Sequence, residues 1–343
     1  SGEIQLWEVA PHYSSLASEL GFIFLQDCIV EVDEIERKLI TSSDKELTYS
    51  QLVVSTGLTT DYSVVEDLKK YACGFSDLND VVRIKDLINK INKSLKSRHP
   101  IVISGAGPTG VELACKISDL VDNRLEIYLV DKGSKILSSS KSFNRDSALS
   151  AISKRNIKLY LEYYIHSINE TFIELASINN QNNNPLKINY SELIWTATQR
   201  PSRFRFLDNS LDESKKVKVN KYLQIDAHPN IFFVGDITLD ENNPCPSSAQ
   251  AAIQQGFVTA QNIISLRKQK KLKSFEFDDL GEMLSLGIGN ASITGYGITL
   301  SGPLAFKIRR GAYLTRMPGL SVPLKSTGSW LFSQKIINLL FSQ

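Results

Sequence analysis

Residues 100–133, PIVISGAGPTGVELACKISDLVDNRLEIYLVDKG, leave few options for how this chain folds. The apolar run IVIS reads as a buried strand and is followed at once by Gly105-Ala106-Gly107-Pro108-Thr109-Gly110. Val111, Leu113, Ala114 and Ile117 then repeat at helical spacing, and EIYLVD returns as a strand that ends in Asp131. Strand, glycine-rich turn, helix and acid-ended strand together make a dinucleotide fingerprint. Gly105 permits the tight turn, Gly107 lets backbone approach a pyrophosphate, and Gly110 lets the helix pack on the strand. N–H groups at the start of the helix, about Thr109, then face the phosphates. Asp131 stands 26 residues after Gly105, where a carboxylate accepts from an adenosine ribose 2′-OH and repels a 2′-phosphate. That favours NADH, while the adjacent Lys132 leaves NADPH open. Glu112 lies in the first helical turn, where it either complements the helix dipole or stands beside the nicotinamide.

The flanking patterns extend the α/β reading. Residues 11–20 suit a short helix, and FIFLQ (22–26), CIVEVD (28–33), RKLIT (37–41) and SQLVVST (50–56) read as short strands of a meander feeding a buried strand. Residues 78–97 and 144–155 read as helices; IKLYLEY, FIELASI and LKINYSELIWTAT read as strands, with an asparagine-rich hairpin loop at 179–185. NIFFVGD (230–236) is a continuous apolar strand, followed closely by a long helix over 247–271. Its terminal Asp236 and the nearby helix start make a second candidate crevice; simple turn or cap chemistry is the alternative for Asp236. Gln250 and Gln254 share one face of that helix, with Gln255 beside them.

Composition removes several classes. Lys and Arg total 39 against 37 Asp and Glu, too balanced for a nucleic-acid binder. Cys28, Cys73, Cys115 and Cys245 show no CxxC spacing, which argues against a disulfide scaffold, a zinc site and a dithiol redox pair. His12, His99, His166 and His228 show no metal spacing, so no metal is expected. No run of about 18 apolar residues is present, so no bilayer-crossing helix is expected. The last 61 positions hold six basic residues (Lys307, Arg309, Arg310, Arg316, Lys325 and Lys335) and no acidic one. Such asymmetry points to an anionic partner, such as a membrane surface. Residues 329–341, SWLFSQKIINLLF, suit an interfacial amphipathic helix; a helix packed on the protein itself is the alternative. The chain opens on SGEIQLWEVAP without an initiator methionine and reads as a piece whose N-terminal part lies upstream.

STG at 55–57, GAGPTGVELA at 105–114, WTATQRP at 195–201, FFVGD at 232–236 and AQAAIQQG at 249–256 follow the order of flavoproteins with two dinucleotide-binding domains. The chain resembles a type II NAD(P)H:quinone oxidoreductase. Residues 1–11 and 279–319 resemble the cyanobacterial and chloroplast demethylphylloquinone reductase branch. The resemblance implies two Rossmann-like domains, the NAD(P)H domain inserted in the FAD domain, plus a C-terminal membrane-associating segment. The expected boundaries are 1–75 and 201–274 for the FAD domain, 76–200 for the NAD(P)H domain and 275–343 for the last segment. FAD would be held by an upstream βαβ unit, then by Thr56, Gly57, Gly235 and Asp236; the family's first GxGxxG is expected before Ser1. NADH, or NADPH, would use Gly105, Gly107, Thr109, Gly110, Asp131 and Ala197, with Glu112 near the nicotinamide. Ala249, Gln250 and Gln254 would border the flavin and a quinone entrance. The resemblance implies hydride transfer to flavin, then two-electron reduction of a membrane quinone without proton pumping. It also implies a peripheral location on the cytoplasmic side of a thylakoid or plasma membrane, lipid contact through the C-terminal segment, and leaves a homodimer open. Two other readings stay open: a soluble flavin oxidoreductase with another acceptor, and a non-catalytic NAD(H)-binding protein.

Overall fold

The computed structural model describes residues 3, 8, 10–93, 99–179, 184–202, 204–207, 215–314, 317 and 326. The helix expected over 329–341 lies outside them, as does most of SGEIQLWEVAP. The chain forms two compact units. One comprises Ser1–Leu25, Val65–Ala197 and Leu280–Gln343; the other comprises Gln26–Val64 and Thr198–Asp279. In sequence, the middle segment of the first unit is thus inserted between the two segments of the second.

The first unit is built on a five-stranded parallel sheet in the order Ala72–Cys73, Glu192–Trp195, Ile101–Ser104, Ile127–Asp131, Ile157–Leu161. Ile101, Val102 and Ile103 have no solvent exposure, the all-apolar signature of a strand covered on both faces. Helix Pro108–Leu120 starts with proline in its first turn, where the missing N–H costs nothing, and buries Val111, Ala114, Cys115 and Ile117. Helices Leu78–Lys93 and Ser142–Ser153 share the core of this unit through Ile84, Ile88, Ala148 and Ile152. Strand 157–161 ends at Glu162, whose φ of 62° breaks the expected longer run before Tyr163–Ile168 starts a three-stranded antiparallel sheet. LKINYSELIWTAT likewise divides: Leu186–Asn189 joins that antiparallel sheet and Glu192–Trp195 joins the parallel one.

The second unit holds the antiparallel meander Ile29–Asp33, Lys38–Thr41 and Glu46–Thr48. It also holds a parallel pair, Leu52–Val54 with Ile231–Phe233, and the 19-residue helix Ala249–Arg267. Ser248 caps that helix by accepting the Ala251 N–H at 3.2 Å. Phe232 and Phe233 are fully buried.

FIFLQ is not a strand. No described residue supplies ladder hydrogen bonds to 22–26, and Ile23 is 97% exposed. Apolar composition gives a segment strand propensity, but a ladder needs a partner.

Residues 280–314 belong to the first unit. They form a three-stranded meander (Glu282–Ser285, Ala291–Gly295, Ile298–Gly302) and the helix Pro303–Leu314. Acidic groups attach the meander. Asp119 pairs with Arg155 at 2.7 Å and also accepts the Ile288 N–H at 2.7 Å. Glu282 accepts from Ser140 Oγ at 2.5 Å and Asn144 Nδ2 at 2.7 Å. Asp119→Ala leaves a largely buried guanidinium unpaired, and is expected to lower unfolding free energy by about 2 kcal/mol. Urea denaturation measures this; a loss below about 0.5 kcal/mol, the range of neutral surface changes, contradicts the attachment.

Candidate functional site

The glycine loop after strand Ile101–Ser104 gives each glycine a separate task. Gly105 has φ +107°, and a Cβ there would lie 2.8 Å from Thr196 Oγ1 and 2.9 Å from the Cα of Ala197. A Cβ on Gly110 would collide with the carbonyl oxygen of Gly105, so the helix can start this close to the loop only with glycine. Gly107 faces open space: no heavy atom lies within 4 Å of where its Cβ would be. It is the N-terminal flanking residue of helix Pro108–Leu120, so the helix's first free N–H groups open on the same side. Thr109 is exposed beside it, as is Ala197 across the loop.

Asp131 fixes this loop. Its Oδ2 accepts the Ala106 N–H and its Oδ1 accepts the Gly133 N–H, both at 2.6 Å. The Ala106 carbonyl in turn accepts from Leu137 N–H at 2.9 Å. Sequence spacing placed Asp131 at the strand end but carried no sign of the bond to Ala106. The glycine cradle, the open face at Gly107 and the helix start fit an adenine dinucleotide pyrophosphate.

Glu112 is part-buried. It accepts the Ser285 N–H at 2.8 Å and lies 3.5 Å from the Arg309 guanidinium, which stacks over Tyr313. Burial pushes its carboxyl above the ordinary range, opposed by Arg309 and the Ser285 N–H. The sequence offered two roles for Glu112 and missed this third one, a tie to the C-terminal meander and helix. The only cue was an arginine in the stretch after Glu282, which holds no acid of its own.

In the second unit, Leu52–Val54 and Ile231–Phe233 run parallel, so Thr56-Gly57 and Gly235-Asp236 leave the same edge. Gly57 and Gly235 hold φ of +64° and +81°. Thr56 is exposed and Asp236 half-buried. Ala249 opens the long helix. Two glycine turns at the carboxyl ends of neighbouring strands, with a helix start in the same unit, fit a flavin dinucleotide. Gln250 and Gln254 donate to the Asp278 carbonyl at 3.1 and 2.8 Å, and Gln254 accepts the Asp278 N–H at 3.0 Å. Gln255 is the residue the sequence underrated. It is buried, accepts the Gly235 N–H at 2.6 Å, and donates to Thr238 Oγ1 at 3.3 Å and Cys245 Sγ at 3.6 Å. Its only cue was its place next to Gln254, since helix glutamines are ordinarily solvated. Burial pushes the Cys73 and Cys115 thiols to about 12 and about 11, and raises Cys245 as well.

Residues 5–256 match the family described as pyridine nucleotide-disulphide oxidoreductase. The chain is 31% identical to demethylphylloquinone reductase NdbB of Synechocystis, over 96% of this chain and 84% of that protein. It is 27% identical to alternative NAD(P)H-ubiquinone oxidoreductase C1 of Arabidopsis thaliana, over 100% of this chain and 73% of that one. Its fold superposes on NDH2 of Plasmodium falciparum, solved in complex with NADH, with a TM-score of 0.76 at 17% identity, covering 88% and 81% of the two chains.

The Glu112 ties predict a graded response. Glu112→Gln keeps an acceptor for Ser285 N–H, whereas Glu112→Ala orphans that N–H and Arg309, so Ala should cost about 1–2 kcal/mol more than Gln. Because the folded carboxyl titrates above its unfolded value, its stabilising contribution is full at acid pH and is lost as pH rises through the folded value. Thermal unfolding should therefore show Glu112→Gln gaining on wild type from pH 5 to pH 8; a gap that moves the other way contradicts the assignment.

Proposed function

Because the chain belongs to the pyridine nucleotide-disulphide oxidoreductase family, we propose that it is a flavin-dependent NAD(P)H:quinone oxidoreductase of the type II class. The reading is carried by the glycine cradle of Gly105, Gly107 and Gly110, locked by Asp131. The relatives named as quinone reductases support the acceptor. Gly105, Gly107, Thr109, Gly110, Asp131 and Ala197 would hold the nicotinamide coenzyme; Thr56, Gly57, Gly235, Asp236 and Ala249 would hold part of FAD. FAD, when bound, supplies two-electron exchange between a hydride donor and a quinone.

The protein's own share is positioning. Gln255 sets the turn at Gly235 by taking its N–H, so the Asp236 side chain leaves the strand in a fixed direction. Gln250 and Gln254 hold the helix to the backbone at Asp278, and this keeps its first turn in place for the flavin and quinone. Glu112, tied to Ser285 and Arg309, is the carboxylate on the coenzyme side.

A peripheral membrane location completes the proposal. Among the described residues no helix is long and apolar enough to cross a membrane. The hairpin residues Tyr296 and Ile298 are 78% and 65% exposed, and Leu304 and Ile308 of the following helix are 59% and 47% exposed. Exposed Lys307 stands among them. An apolar tip with an exposed cation suits the surface of an anionic bilayer, where a cation adds about 1 kcal/mol at most.

One experiment addresses both parts. FAD-loaded protein is assayed for NADH oxidation with a water-soluble short-chain quinone, and with a long-chain quinone in anionic liposomes. Wild type should use both. The pair Tyr296→Ser and Leu304→Ser should keep the soluble-quinone rate and lose most of the liposome rate. If NADH reduces ferricyanide but neither quinone, the quinone assignment fails; if the double variant keeps the liposome rate, the lipid surface fails.

A further inference from the structure

Resting on the flavin turn proposed above, we infer that Thr238 is a positioning residue for FAD: its hydroxyl, working through Gln255, sets the direction in which Asp236 leaves its strand. The bonds form a closed ring around Gly235. Gln255 Oε1 accepts the Gly235 N–H at 2.6 Å. The Gly235 carbonyl accepts the Thr238 N–H at 3.0 Å and the Thr238 hydroxyl at 2.8 Å. A threonine hydroxyl has one proton, and here it is committed to that carbonyl. Its oxygen is left to accept, and Gln255 Nε2 donates to it at 3.3 Å. The hydroxyl therefore decides which way round the Gln255 carboxamide sits, nitrogen toward Thr238 and Cys245, oxygen toward Gly235. The opposite setting would bring two N–H groups face to face at Gly235, beside a side chain that is only 1% exposed.

Thr238 is itself anchored from outside the turn. Ile237, just before it, is buried and accepts the Val217 N–H at 2.8 Å. Strand Thr238–Leu239 runs parallel to Val217–Lys218. Both polar groups of the Gly235 backbone are thus held while its φ stays at +81°. Without the hydroxyl, the Gln255 carboxamide can turn over and the Gly235 N–H loses its acceptor. Asp236 then takes several directions, and ordering it again costs part of the affinity for the flavin.

The test reads flavin binding, which needs no turnover. FAD is titrated into the flavin-free full chain and followed by flavin fluorescence. Thr238→Val keeps the shape and removes the hydroxyl; it should weaken FAD about tenfold, while Thr238→Ser should bind within about twofold of wild type. A double-mutant cycle with Asp236→Ala separates positioning from general support of the fold. If Thr238 acts through Asp236, Thr238→Val should weaken FAD by less than about twofold once Asp236 is replaced. Should circular dichroism show Thr238→Val unfolded, Thr238→Ala takes its place in the cycle. Additive losses, or a Thr238→Val protein that binds FAD like wild type, overturn the inference and leave the flavin site standing. If wild type binds no FAD, the flavin reading fails and takes this inference with it.

Discussion

The bond from the Ala106 N–H to Asp131 Oδ2 joins two neighbouring strands at the point where the chain must open toward a ligand. A pyrophosphate needs backbone N–H groups presented without side chains in the way, and such a bare loop has little to hold it. Gly105 at φ +107° and the contact of Gly110 with the Gly105 carbonyl leave the loop one shape. The carboxylate then pins it through a charge-assisted hydrogen bond, a stronger tie than one between neutral groups. The same acid orders the following turn through Gly133, and Leu137 returns to Ala106. Loop, strand end and turn are one braced piece.

The nucleotide fold of the first unit was the most legible part of the sequence. Fully buried parallel strands read as unbroken β-branched runs, and the glycines needed at fixed offsets have no substitutes. What could not be read depends on partners remote in sequence. FIFLQ has the composition of a strand, but no described residue pairs with it, and composition alone cannot supply a ladder. LKINYSELIWTAT looks like one strand and serves two sheets, because its pattern does not reveal the change of neighbour at Tyr190-Ser191. Gln255 looks like any helix glutamine until Gly235 is seen to need an acceptor.

The residues after Leu280 show the same limit. Their basic composition, acid-free after Glu282, marks them as unusual but says nothing about attachment. In the structure Asp119, Glu112 and Asn144 of the nucleotide fold meet Ile288, Ser285, Arg309 and Glu282 of that segment. Each contact spans more than a hundred residues of sequence, and each uses a polar side chain with an unremarkable local pattern. Positive charge in the segment thus has two destinations: Arg309 is spent on Glu112, while Lys307 stays exposed beside Leu304 and Ile308.

The proposed function depends on one binding event, a nicotinamide dinucleotide on the Asp131-braced loop of the first unit. Hydrogen–deuterium exchange with and without NADH tests it most directly. NADH should slow exchange in residues 105–112 and in 131–137 together, because the two stretches form one hydrogen-bonded piece. Slowing elsewhere with these two stretches unchanged would place the coenzyme at another site and rule out the Asp131-braced loop.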